Sequence, residues 1–158
     1  MKEKGKNKPI LVPVDFSSNS ETALLQAAEL AEKLDSDLVI LHVVHDLNDA
    51  PGYYSVKGRG KQMRRMEDVA AEMLEEFFHK MQKKHAGLNA LQQATTQLVV
   101  GLPVNRIMET AKKIHARMIV MGSQGRTGLA RAMLGSKAEQ VVRLAPVPVM
   151  IVKDEKKT

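Results

Sequence analysis

A glycine-rich segment at residues 121–136, MGSQGRTGLARAMLGS, has the residue types and spacing of a phosphate site. It follows a short apolar run and leads into a helical pattern that starts at Ser136. Glycines let a backbone approach a ligand closely and reach φ > 0. The free N–H groups and the dipole of a helix N-terminus favour an anion. With the positive charges of Arg126, Arg131 and Lys137, the segment predicts a cradle for nucleotide phosphates.

Other motifs for phosphate chemistry do not occur in the sequence. No Walker A run of the form GxxxxGK followed by Ser or Thr is found, and no GxGxxG fingerprint follows the first predicted strand. A phosphate-accepting receiver domain would need clustered acids at strand ends, and only Asp15 stands at such a place. The five histidines are scattered, and no serine lies in a GxSxG elbow. We therefore predict no catalytic residue.

The hydrophobic pattern alternates between strands and helices along the whole chain. Short apolar runs predict strands at 8–14, 37–44, 91–100, 117–121 and 147–152. Helical periodicity predicts helices from Ser18 to about residue 34, from near Lys61, from Pro103 and from Ser136. The spacings of Ser18 with Glu21 and of Ser136 with Glu139 are those of capping boxes.

This alternation predicts a single α/β domain with a mostly parallel five-stranded sheet and helices on both faces. Residues 8–152 form the predicted domain, and residues 1–7 and 153–158 are expected to be charged, flexible tails. Ligands of such sheets bind beyond the carboxyl ends of the strands, where the strand order reverses. Because Asp15, Val43 and Gly122 stand at or just after predicted strand ends, we expect them to face one crevice. His42, inside a strand, is predicted to be a packed core histidine.

Composition limits the class of protein. The chain of 158 residues suits one core, has no cysteine, and has no apolar run of the ~20 residues that a membrane span needs. We therefore expect a cytoplasmic protein without a membrane partner. The net charge of +6 lies largely in the two tails and aromatic residues make up only 3%, which argues against specific nucleic-acid binding.

The last predicted strand contains Pro148, which cannot donate to a sheet ladder. We therefore place this strand at a sheet edge. An apolar edge invites association unless another chain covers it, so we predict a homodimer that pairs through the strand. The residues of this predicted edge are Val147, Val149, Met150, Ile151 and Val152.

The spacing Gly122-x2-Gly125-x9-Gly135-Ser136, with its surroundings, resembles the universal stress protein family and its ATP-binding branch. The resemblance extends over nearly the whole chain. It includes the segments 10–17 (ILVPVDFS), 41–44 (LHVV) and 101–103 (GLP). It implies a Rossmann-like fold similar to that of the adenine-nucleotide alpha hydrolases.

The resemblance also implies roles at matching positions. The carboxylate of Asp15 would reach the ribose or, indirectly, a phosphate-bound Mg²⁺ or Mn²⁺, and the backbone of Val43 would meet the adenine. Where some ATP-binding relatives carry a hydroxyl residue, this chain has Ala138, and Lys137 would compensate by charge. The nucleotide-binding positions implied are Pro13, Val14, Asp15, Val43, Met121, Gly122, Gly125, Arg126, Gly135, Ser136, Lys137 and Ala138.

Several of these residues have a purely structural alternative. Asp15 could satisfy backbone N–H groups at the start of the first helix, and Ser136 is expected to be a helix N-cap whether or not it also binds phosphate. Gly128 could only shape the loop, and Arg126 and Arg131 could be solvated.

Three functions remain open from the sequence. The first is a regulatory stress-response homodimer that binds ATP, with ADP and AMP as further candidates, and acts on a regulatory protein partner. The second is an enzyme, either a slow ATPase or a nucleotidyl transferase. The third is a nucleotide-free interaction dimer in which the glycine loop is structural.

Overall fold

The computed structural model describes residues 7–45, 66–125 and 133–154. Strands and helices alternate along most of this chain, as the hydrophobic pattern predicts. In order they are β1 (Ile10–Pro13), α1 (Ser18–Leu34), β2 (Leu38–Val44), α2 (Met66–Lys84), α3 (Asn89–Gln92), β3 (Thr95–Val100), α4 (Pro103–Lys113), β4 (Met118–Gly122), α5 (Ser136–Leu144) and β5 (Val149–Val152).

The five strands form one sheet in the order β3-β2-β1-β4-β5. Every neighbouring pair is parallel, so the predicted α/β fold is confirmed and the sheet is wholly rather than mostly parallel. The chain moves outward from β1 to β3 and then returns to the other side of β1 for β4. The strand order therefore reverses between β1 and β4, which is where such folds bind ligands.

Helices cover both faces of the sheet, as predicted. Side chains of α1, α2 and α3 pack on one face, and those of α4 and α5 pack on the other. The alanines at positions 23, 27 and 31 of α1 are almost completely buried, which lets the helix lie close to the sheet. Leu34, the last residue of the helix, is 39% exposed.

The predicted helix starts at Ser18 and Ser136 are confirmed, but the predicted cap residues need correction by one position. Ser17, not Ser18, caps α1, and its side chain accepts a hydrogen bond from Ser20 N. Gly135, not Ser136, caps α5, and no side chain caps that helix. Neither predicted capping box is formed. The caps were misassigned because a sequence pattern alone does not fix which of two adjacent residues has extended rather than helical backbone.

The third strand was also predicted too long. Leu91, expected in the strand, lies fully buried in the one-turn helix α3, and β3 begins only at Thr95. A single buried leucine fits either element in a short apolar pattern. The predicted start of the second long helix near Lys61 and most of the loop at 45–60 lie outside the described residues.

β5 is an edge strand of the sheet, as predicted from Pro148. The physical reason differs, however. Pro148 precedes the strand, and its carbonyl accepts from Ile119 N, so residue 148 faces β4 and not the outer edge. Along the parts of the chain that the structure describes, no helix is long and apolar enough to cross a membrane.

Candidate functional site

The turn after β1 is organised around the carboxylate of Asp15. Its Oδ1 atom accepts hydrogen bonds from Ser17 N at 3.0 Å, from Ser17 Oγ, and from Ser20 Oγ at 2.6 Å. In return, Asp15 N donates to Ser20 Oγ at 2.8 Å. The structural alternative for Asp15 is therefore confirmed for one oxygen, because Oδ1 is committed to the start of α1.

Phe16, the next residue, has a left-handed backbone with φ of 68°. Such a φ is uncommon for a bulky residue and costs roughly 1–3 kcal/mol where the surrounding structure enforces it. Its ring packs against His42 at a centroid distance of 4.3 Å and against Phe77 of α2 at 5.6 Å. These ring contacts hold the strained turn.

The second oxygen of Asp15 lies against the glycine loop. A Cβ atom added at Gly125 would come 3.1 Å from Asp15 Oδ2. The turn after β1 and the loop after β4, which the sequence predicted to face one crevice, thus lie next to each other. Gly125 itself is exposed, so its backbone is open to a ligand.

Gly122, at the end of β4, allows close packing with the N-terminus of α1. A Cβ atom there would lie 2.9 Å from Asn19 Cβ and 3.1 Å from the Asn19 backbone. This glycine serves helix packing as well as the proposed cradle. Gly101 is the single described glycine with positive φ, so Gly122, Gly125 and Gly135 contribute close approach of the backbone and not a left-handed conformation.

Gly135 ties the start of α5 to the end of β4. Its N–H donates to Ser123 O at 2.7 Å, and Ser123 N donates to Val152 O of β5 at 2.9 Å. A Cβ atom at Gly135 would come 3.3 Å from Ser123 O, so a larger residue would weaken this approach. The bond therefore brings the α5 N-terminus to the carboxyl edge of the sheet.

The first turn of α5 carries no side-chain cap. Its N–H groups and its dipole are those of an anion site. Ser136 and Lys137 are exposed, whereas Ala138 is 3% exposed and packs in the core beneath the helix. Ser136 is the first helical residue, so the prediction that it is the N-cap is wrong.

Val43 lies two residues beyond the point where β1 stops pairing with β2. The last register pair is Pro13 with Leu41, and Val14 N donates to Leu41 O at 2.8 Å. Backbone groups of alternate residues in a parallel strand point to the same neighbour. The N–H and C=O of Val43 therefore point, like those of Leu41, toward the β1 side, where β1 has ended.

The structure thus brings together most of the predicted nucleotide positions at the carboxyl edge. Pro13 ends β1 and Val14 follows it, the buried Met121 is the last residue but one of β4, and Asp15 faces the loop at Gly125. Arg126, Arg131 and Gly128 lie outside the described residues, and so their predicted roles stay predictions.

Sequence reasoning missed three polar residues at this edge, Ser20, Asn19 and Ser123. Ser20 is 5% exposed and completes the Asp15 network, and Ser123 is 7% exposed and joins three elements. The spacing Asp-x-Ser-x-x-Ser at 15–20 carried a signal, since such side chains bond to nearby backbone N–H groups. No local sequence pattern indicated a role for Asn19 or Ser123.

Comparison with known proteins agrees with this architecture. Residues 6–153 match the universal stress protein family, and the chain belongs to that family. Universal stress protein MJ0531 of Methanocaldococcus jannaschii is 33% identical over 150 residues, which are 95% of this chain and 84% of that protein.

Two solved structures are also similar. The structure of the hypothetical protein MJ0577 has a TM-score of 0.68 at 26% identity and covers 95% of this chain and 98% of that one. The universal stress protein of Archaeoglobus fulgidus in complex with dAMP has a TM-score of 0.62 at 25% identity, covering 92% and 98%.

Proposed function

We propose that this protein is a regulatory stress-response protein that binds an adenine nucleotide, with ATP as the first candidate. The observation that carries the proposal is the approach of Asp15 Oδ2 to Gly125, where an added Cβ atom would lie only 3.1 Å from this oxygen, next to the uncapped N-terminus of α5. A carboxylate on one side and uncapped helix N–H groups on the other suit a ligand with both hydroxyl groups and phosphates.

The chemistry of each part assigns the ligand's orientation. Phosphates would lie at the first turn of α5, where Lys137 is exposed, because N–H groups and the helix dipole favour anions there. The ribose would lie between Asp15 and Gly125. The base would reach the backbone of Val43, whose donor and acceptor can pair with an adenine edge. The dAMP complex of the relative from Archaeoglobus fulgidus supports an adenine nucleotide as the ligand class.

A divalent ion would accompany the phosphates if the ligand is ATP or ADP. Mg²⁺ is usually held by one or two carboxylates together with substrate phosphates and waters. Asp15 fits this only in part, since Oδ1 is committed to Ser17 and Ser20. We propose that Oδ2 reaches the ion indirectly, through the phosphates or a water.

We also propose that the protein is a homodimer joined along β5. Ile119 N donates to Pro148 O and Ser123 N to Val152 O, so even-numbered residues direct their backbone groups to β4. The N–H and C=O groups of Val149 and Ile151 consequently point to the outer edge. Nearby apolar side chains are exposed at 49% for Val142, 59% for Leu144 and 37% for Met150, and a second chain would cover them.

Calorimetric titration tests the nucleotide proposal. The purified protein, freed of bound nucleotide, is titrated with Mg-ATP, and then with ADP, AMP and GTP. Saturable binding of adenine nucleotides at about one per subunit is expected. Absence of heat with ATP, together with no competition by AMP, would contradict the proposal and favour the nucleotide-free interaction dimer.

The rate of ATP hydrolysis distinguishes the enzyme alternative from the regulatory protein. Phosphoryl transfer needs a positioned metal, positive clamps and an oriented nucleophile. Release of phosphate from ATP at ~1 s⁻¹ or faster would lie within the usual enzyme range. That rate would overturn the regulatory assignment, whereas the expected rate is far slower.

A further inference from the structure

We propose that His42 is a positioning residue that keeps the Val43 N–H available for a ligand's base. Its imidazole takes the place that this N–H would occupy in a continuous β1–β2 ladder. The inference rests on the proposed nucleotide function for its biological meaning. The hydrogen-bond pattern that it describes, between His42, Val14 O and Val43 N–H, does not depend on any ligand.

The hydrogen-bond ladder between β1 and β2 indicates where the imidazole takes the place of a backbone donor. Ile10 N donates to Asp37 O and Val14 N donates to Leu41 O, so even-numbered residues of β1 face odd-numbered residues of β2. In a parallel ladder the next bond would run from Val43 N to Val14 O. The register instead stops at the pair Pro13 and Leu41, one residue short of the pair that this bond would create.

The Val14 carbonyl is satisfied by a side chain. His42 Nδ1 lies 2.7 Å from Val14 O. Because a carbonyl oxygen can only accept, Nδ1 must carry the proton and donate. Val14 O is therefore hydrogen-bonded without the Val43 N–H, and burial of the carbonyl carries no penalty.

The surroundings hold the imidazole in this place. His42 is 2% exposed, and the Phe16 ring covers it at a centroid distance of 4.3 Å. Phe16 belongs to the same turn as Asp15 and has the strained φ of 68°. One buried side chain thus connects the end of β1, the turn that carries the carboxylate, and the strand that would meet the base.

The consequence is a gap of one hydrogen bond at the edge of the crevice. Val43 N–H points to the β1 side and, among the described residues, has no ladder partner there. A purine ring nitrogen is an acceptor that fits this donor. Without the imidazole, Val14 O would be a buried acceptor, and closing the ladder onto Val43 N–H would be the nearest way to satisfy it.

Amide hydrogen exchange of the ligand-free protein gives the first test. In His42→Leu, Val43 N–H should pair with Val14 O, and its exchange should become about tenfold slower than in the wild type. His42→Asn, whose Nδ2 lies near the position of Nδ1, should restore the fast exchange of Val43. The substitution Ile40→Val, in the same strand and on the same face, is the control for a general loss of packing.

Nucleotide affinity gives the second test. His42→Leu should weaken AMP binding about tenfold, the loss of one hydrogen bond, while His42→Asn retains affinity. Ribose 5-phosphate, which has no base, should bind the variant and the wild type equally. If His42→Leu does not fold, His42→Gln replaces it, because its longer side chain places the donor beyond Val14 O.

The two tests separate failure of this inference from failure of the proposed function. Wild-type protein that binds no adenine nucleotide would overturn the function, and the exchange of Val43 would still decide the role of His42. Unchanged Val43 exchange in His42→Leu, or equal loss of AMP and ribose 5-phosphate affinity, would overturn the inference.

Discussion

The carboxylate of Asp15 faces Gly125 so closely that a Cβ atom added at Gly125 would come 3.1 Å from Asp15 Oδ2. The turn after β1 and the loop after β4 are more than a hundred residues apart in sequence. The space between them stays open because residue 125 has no side chain.

We predict that Gly125→Val abolishes nucleotide binding while the fold survives. A β-branched side chain would fill the approach to Asp15 Oδ2 and block a ligand's close contact with the backbone. Calorimetric titration should show a rise in Kd of about a hundredfold or more, equal to about 2.8 kcal/mol. The reason is steric, since the φ of Gly125 is not positive.

The matched control is Gly87→Val. A Cβ atom at Gly87 has no neighbour within 4 Å, and this glycine also has no positive φ. The control should keep both wild-type stability and wild-type affinity. Unchanged affinity in Gly125→Val would mean that the phosphate cradle lies elsewhere.

Two substitutions should distinguish the roles of the two carboxylate oxygens of Asp15. Asp15→Asn keeps an acceptor at Oδ1 for Ser17 and Ser20, so its free energy of unfolding should stay within about 0.5 kcal/mol of the wild type. Asp15→Ala removes that acceptor from three donors and should cost about 1–3 kcal/mol. Urea unfolding measures both values.

Nucleotide binding should respond differently in the same pair of variants. Asp15→Asn removes the negative charge near Gly125, and it should lose the part of ATP affinity that depends on Mg²⁺. Calorimetric titration with and without Mg²⁺ checks this. Equal Mg²⁺ dependence in Asp15→Asn and the wild type would show that Asp15 only builds the turn.

The dimer should depend on the outward backbone donor at Ile151. Ile151→Pro removes this N–H, which does not pair with β4, whereas Ile151→Ala loses the side chain and keeps the donor. We predict that the proline variant sediments as a monomer in analytical ultracentrifugation and that the alanine variant remains a dimer. Edge pairing would be contradicted if both variants were dimers or if both were monomers.

Deletion of residues 147–158 should also give monomer or aggregate, but it is a less specific test. β5 pairs with β4 through the register of Ile119 with Val149. Removing β5 would uncover strand residues that are almost fully buried, such as Val120. The aggregation that follows could come from this new edge alone.

The strand and helix order was predictable because it depends on hydrophobic period, which short-range sequence carries directly. Pro148 correctly predicted β5 at a sheet edge, although residue 148 itself precedes the strand and faces β4. The start of α5 at Ser136 was predicted correctly, but its cap was misplaced by one residue, because Gly135 and Ser136 both suit a helix cap. The reversal of strand order between β1 and β4 follows from general rules for α/β folds.

The parts of the site that sequence could not give depend on contacts between distant residues. His42 is buried as predicted, but its 2.7 Å distance to Val14 O, on which the proposed positioning role rests, could not be read from the sequence. The double use of Asp15, with Oδ1 for the turn and Oδ2 beside Gly125, is likewise a matter of tertiary geometry. Sequence spacing contains no information on which oxygen of a carboxylate faces which neighbour.

Glu32 of α1 should act as a cap for the short helix α3. Its Oε1 accepts from Ala90 N at 2.6 Å, and α3 has no side-chain cap of its own at Leu88. Glu32→Ala should therefore lower the free energy of unfolding by about 1 kcal/mol, the usual cost of a lost N-cap. Glu32→Gln keeps an acceptor and should lose less, and Glu29→Ala, on the exposed side of the same helix, should be neutral within about 0.5 kcal/mol. Urea unfolding of the three variants decides the matter, because equal losses in Glu32→Ala and Glu29→Ala would mean that this bond between helices contributes nothing to stability.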